Sequence, residues 1–153
     1  MKKLTALLFL VPSLSFAQVE LTTEMYEVIE VQKNNGKSKI EWVTADNIIP
    51  GDKVGYRISF ENKGAGPADN IVLNNPVPEN TLYVADSARG ANTKIEYSVN
   101  AGNDFGQPNE LFIEKDGKKM PANAKDYTHV RWTLTKALAS GESGSVQYVV
   151  QVK

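Results

Sequence analysis

The chain has no cysteine, which removes disulfides, thiolate nucleophiles and thiolate metal sites together and leaves stability to the packed core. It has one histidine, His129, too few Cys and His donors for a zinc site. A basic face interleaved with aromatics is also missing. Lys33, Lys37 and Lys39, then Lys115, Lys118 and Lys119, are scattered through a chain of formal net charge −1, so nucleic acid is not an expected partner. After Val11 no apolar run approaches the roughly 20 residues of a membrane span. No window carries a convincing helical apolar period, and there is no internal repeat or low-complexity linker.

What stands at the start reads as an address. Lys2 and Lys3 precede an apolar run over 4–11, Pro12 breaks it, and Ser15 and Ala17 flank Phe16 in the small-x-small pattern of a cleavage site. Residues 1–17 are therefore expected to be a cleaved signal peptide, with the mature protein beginning near Gln18. No cysteine follows the cut, which closes the bacterial lipoprotein route, and no membrane anchor is expected after cleavage. The expected destination is the periplasm of a bacterium or the space beyond it. Taking 17 from the 153 residues leaves 136, enough for one domain spanning 18–153. Loss of the two leader lysines moves the charge from −1 to −3.

Apolar residues recur with a period of two. Val54, Tyr56, Ile58 and Phe60 alternate with Gly55, Arg57, Ser59 and Glu61. Ile95, Tyr97 and Val99 alternate with Glu96 and Ser98, and Val130, Trp132 and Leu134 with Arg131 and Thr133. Val146, Tyr148, Val150 and Val152 alternate with Gln147, Val149 and Gln151. Each set predicts a strand with one face inward and the other toward water. Turn residues separate the sets. Pro50-Gly51-Asp52 leads into one strand, Asn62 to Pro67 leads out of it, and Pro76 and Pro78 stop pairing around Val77. Asn35-Gly36 between 26–32 and 39–44, and Asp116-Gly117 between 110–114 and 119–120, predict hairpins. Short strands at regular spacing in a chain of this length predict an all-β fold. The expected form is an antiparallel immunoglobulin-like β-sandwich with an extra N-terminal hairpin.

The stretch Ile49-Pro50-Gly51-Asp52-Lys53-Val54-Gly55-Tyr56-Arg57-Ile58-Ser59-Phe60-Glu61-Asn62-Lys63-Gly64 resembles the opening of the bacterial repeat domain catalogued as DUF11, which reads roughly PGD-x-V-x-Y-x-I-x-x-x-N-x-G. The likeness continues from Pro67 to Val84, through Asn75-Pro76-Val77-Pro78-Glu79-Asn80, and closes on Trp132-Thr133-Leu134 and Leu138 to Gly144. Asn75 stands where the family usually has Asp, and Asn80 where Gly is common; both suit turns. The resemblance implies an immunoglobulin-like sandwich in exported or surface proteins, often in tandem copies, with no agreed catalytic activity. Here there is a single copy.

Several constellations invite chemistry. His129 sits in Asp126-Tyr127-Thr128-His129-Val130-Arg131-Trp132, and alternation sets His129 and Arg131 on the outer face. Asp126, Tyr127, His129 and Arg131 form the candidate surface binding patch, weighed against an ordinary solvated strand face. No nucleophile elbow accompanies the histidine. Ser98 to Phe105 is similar to the Asp-box turn with two substitutions, and the plain reading is a β-turn with Phe105 packed beneath it. Asp46, Asp52, Asp69, Asp86 and Asp104 fall in loops without the converging oxygens that calcium needs. No lysine lies on an inward strand face, as an isopeptide cross-link would require. Gly64 and Gly66 lack a following helix to hold a phosphate. These readings favour an exported, non-enzymatic structural or protein-interaction module of the bacterial cell envelope, with no catalytic residue, metal or cofactor, and another envelope or surface protein as partner. A small carbohydrate- or ligand-binding sandwich is the alternative.

Overall fold

A computed structural model describes residues 18–33 and 36–153. The expected leader and the Asn35 half of the first turn lie outside the described residues. Eleven strands follow in order: β1 (Val19–Gln32), β2 (Ser38–Thr44), β3 (Lys53–Asn62), β4 (Val72–Pro76), β5 (Thr81–Tyr83), β6 (Arg89–Gly90), β7 (Thr93–Ser98), β8 (Phe112–Lys115), β9 (Lys118–Pro121), β10 (His129–Leu134) and β11 (Ser143–Val152). The only helical pieces among the described residues are 3₁₀ turns at Pro108–Glu110 and Ala124–Asp126.

The strands form an all-β antiparallel sandwich. The large sheet runs β2-β1-β3-β11-β5, with β6 also on β11; the small sheet runs β4-β10-β7; β8 and β9 make a separate ribbon. The alternating sets meet between the two sheets as expected. Val54, Ile58, Phe60, Val146, Tyr148 and Val150 face Leu73, Val130 and Trp132, and all of these are buried. Trp132 is fully buried, its ring 5.9 Å from that of Tyr148, and its indole N–H donates to the Arg89 carbonyl at 3.1 Å. A buried Trp requires such an acceptor.

Five tyrosines thread one end of this core. Tyr56 stacks on Tyr148 with centroids 5.2 Å apart, Tyr83 lies 5.3 Å from Tyr97, and Tyr97 stacks on Tyr127 at 4.5 Å. Tyr148, more than Tyr56, ties its hydroxyl to the rim: Asn75 Nδ2 donates to it at 2.6 Å, and it donates to the Pro76 carbonyl at 3.1 Å. Asn75 thus has a structural task at the position where the resembled family carries Asp. Asn80, at the other departure, has φ 58°, the left-handed conformation that Gly or Asn adopts most readily.

Both predicted hairpins form. β1 pairs β2 with Gln32 opposite Ser38, and β8 pairs β9 around Asp116 and Gly117, both at positive φ. The first hairpin is larger than 26–32 suggests. β1 starts at Val19; its first half pairs β3 (Val19 opposite Asn62, Glu27 opposite Val54) and its second half pairs β2. Leu21 and Met25, opposite Phe60 and Tyr56, stay 56% and 50% exposed, so the small sheet does not extend over β1.

The outward residues depart from expectation at Glu96, Ser98 and Val149, all buried. Loops folded back onto the sheets and side chains of neighbouring strands cover them. The turn after β7 folds back onto Ser98, whose Oγ accepts from the N–H groups of Asn100 (3.2 Å) and Gly102 (3.0 Å). On the large sheet, the Ser87 hydroxyl donates to the Val149 carbonyl and accepts from the Val149 N–H.

Candidate interaction surface

The four residues of the candidate patch separate in the structure. Tyr127 is 7% exposed and belongs to the tyrosine cluster, so it is not a surface residue. The Ala124–Asp126 turn breaks the strand alternation just before β10 and turns Tyr127 inward. Asp126 accepts from the Asn123 N–H at 2.8 Å and closes that turn. His129 and Arg131 do share the outer face of the small sheet. There Phe105 covers them, its ring 3.9 Å from the Arg131 guanidinium and edge-on to His129 at 6.4 Å. Phe105 therefore packs on the outer face over Arg131 instead of beneath its turn.

Glu96 is the hub of this face. Lys94 reaches it at 2.8 Å and Arg131, directly opposite on β10, at 2.9 Å. The Lys94 ammonium is the larger cause of the Glu96 carboxyl sitting below its usual range; Arg131 adds to it and burial opposes. With its carboxylate committed to two cations and the guanidinium capped by an aromatic ring, this face is a closed polar cluster. No group of three or more metal-ligating side chains comes together among the described residues.

The more open surface lies on the other side of the molecule, on the outer face of the large sheet. Trp42 lies flat on β3: a Cβ built on Gly55 would stand 2.6 Å from its ring. Tyr26 tilts against Trp42 at 5.8 Å, and the Arg57 guanidinium covers both rings, 5.0 and 5.5 Å from their centroids. Beside this cluster runs a groove of about 570 Å³, floored by Val28, Ile40, Trp42 and Val149 and rimmed by Asp86 and Arg89. Strand alternation hides it, because alternation puts Gly55 and Val149 on a solvated face. The available signal was the glycine itself, since Gly inside a strand often marks close approach by another group. Gly55→Val is expected to lift the hairpin off β3 at a cost of about 1–3 kcal/mol. Acrylamide should then quench one of the two tryptophans freely while the other stays protected. Unchanged quenching would contradict this packing.

The edges of the sheets are treated unequally. β4 ends in Pro76, and β5 has three residues. The edge of β7 is closed by Gly106, which exchanges both backbone hydrogen bonds with Tyr97 at 3.0 Å, and by Gln107 Nε2 on the Ile95 carbonyl. β2, seven residues long, has no such cover among the described residues. The Lys33 N–H donates to the Lys37 carbonyl at 2.8 Å, which makes that pair a hydrogen-bonded rung. Antiparallel alternation then turns the backbone N–H and C=O groups of Ser38, Ile40, Trp42 and Thr44 away from β1, along the free edge. Ile40 is 54% exposed. No protein-family model matches the chain, and no curated protein matches it in sequence.

Proposed function

We propose that this protein is a non-enzymatic interaction module of the bacterial cell envelope, engaging its partner by strand addition at β2. The observation that carries the reading is the free edge of β2, which presents unpaired backbone groups and Ile40 beside an apolar groove. An added strand gains main-chain hydrogen bonds from such an edge and side-chain specificity from the pockets next to it. Natural sheets normally blunt an edge of this length, and the other sheet edges among the described residues are short, end in proline or are covered. The envelope assignment rests on the leader pattern of residues 1–17, and the DUF11 resemblance agrees with a non-catalytic role. The glycan-binding alternative requires an open aromatic platform. Trp42 and Phe105 are half-buried, laid on Gly55 and Arg131 respectively, so neither supplies one.

A photo-reactive residue at Ile40, in protein expressed in its own cells, is expected to cross-link to a protein, while the same group at Lys94 on the small sheet gives none. Cross-links from Lys94 alone, or from neither position, would remove the proposal.

A further inference from the structure

The proposed strand addition leaves the identity of the added strand open, and the charge order along β2 narrows it. We infer that the edge of β2 pairs with β2 of a second copy, in an antiparallel register that sets Ile40 opposite the partner's Ile40. This rests on the interaction reading above and names its partner.

The register follows from chemistry along the strand. Two copies related by a twofold axis perpendicular to the sheet keep each residue on its own face, so even positions oppose even ones and odd oppose odd. Centring on Ile40 puts Lys39 opposite the partner's Glu41, and Glu41 opposite the partner's Lys39. The interface thus carries the same ion pair twice. Centring on Glu41 sets two carboxylates against each other, and centring on Lys39 sets two ammonium groups against each other; like charges directly opposite are destabilising. In the Ile40 register the outward backbone groups of Ser38, Ile40 and Trp42 fall opposite the partner's Trp42, Ile40 and Ser38. Each of these rungs is of the hydrogen-bonded kind. The two exposed isoleucines meet on the outer face, within diagonal reach of the two Trp42 side chains, and the groove continues across the seam. Lys39 and Glu41 already contact each other within one chain at 3.2 Å, both well exposed, so pairing across the seam needs only a change of rotamer.

Sedimentation of the purified protein over a range of concentrations is expected to show a monomer–dimer equilibrium. Lys39→Glu and Glu41→Lys should each weaken the dimer at least about tenfold, as two opposite-charge pairs become two like-charge pairs. The double variant Lys39→Glu/Glu41→Lys should restore it. Ile40→Pro removes an outward-facing donor without taking a rung from β1, so it should give a folded monomer with unchanged circular dichroism. A monomer at every concentration, or a dimer indifferent to the charge swaps, overturns the inference. If the protein is monomeric yet Ile40 cross-links to a different protein, the interaction reading stands and self-pairing fails. If neither is seen, both fail.

Discussion

Asn62→Ala is expected to lower the unfolding free energy by about 3–5 kcal/mol, a large fraction of what a domain of this size has. Asn62 is fully buried at the end of β3 and uses its whole side chain. Its Nδ2 donates to the Gly66 and Leu138 carbonyls, both at 2.8 Å, and its Oδ1 accepts from the Gly64 N–H at 2.9 Å. Its backbone N–H donates to the Glu142 carbonyl, and its own carbonyl accepts from Gly141. One residue therefore ties the loop after β3 to the loop before β11. Truncation leaves the Gly66 carbonyl and the Gly64 N–H without partners and the Leu138 carbonyl with the Ala68 N–H alone, and each orphaned group costs more than an average hydrogen bond contributes. Asn62→Asp should be at least as damaging, since it replaces both donors by a carboxylate oxygen facing two carbonyls. Urea unfolding should show a lower midpoint with an unchanged slope. A loss under about 1 kcal/mol for either variant would show that the clamp is dispensable.

Alkaline conditions are expected to collapse the core cooperatively. Tyr56, Tyr97, Tyr127 and Tyr148 all have hydroxyls held above the ordinary value of 10.0, burial being the first cause in each. For Tyr97 the hydrogen bond with Tyr83 adds to it, and for Tyr148 the neighbouring Tyr56 does. Below the ordinary value both folded and unfolded chains keep these protons, and the stability is fully present. As pH rises through 10, the unfolded chain releases protons that the folded chain retains, so stability falls and continues to fall toward the raised values. The urea midpoint should be level through neutral pH and drop steeply above about pH 10. Absorbance from these ionised tyrosines should appear together with loss of near-ultraviolet circular dichroism. Smooth titration of all six tyrosines near pH 10 with the dichroism intact would refute the sealed cluster.

The inward faces of β3, β10 and β11 were legible from alternation because each strand carries its own period and its burial needs only one opposing sheet. The two hairpins were legible for the same local reason, their turn residues sitting between apolar runs. The start of β1 was not: Thr22 and Thr23 blur the period, and the strand is held by pairing with β3, far along the chain. Glu96 and Val149 look solvated in sequence because Arg131 and Ser87, which cover them, come from other parts of the chain, and Ser98 because strand alternation does not register the turn that folds back on it. Tyr127 was misplaced because a 3₁₀ turn interrupts the strand period just before it. The free edge of β2 could be suspected from 39–44 alone. Its uncovered status depends on where Gly106, Pro76 and the short β5 fall, which only the assembled sheets reveal.

The placement of the first and last strands has a mechanical consequence. β1 and β11 both flank β3 and both run antiparallel to it, so they are parallel to each other, with Val19 beside Asn62 and Gln151 beside Lys53, at opposite ends of the sheet. Tension drawing Val19 and Val152 apart runs lengthwise through both ladders and is shared by all their rungs at once. Tension across the strands, drawing β2 sideways from β1, meets one rung at a time and unzips that pair. The same molecule is thus stiff along its strands and compliant across its edge.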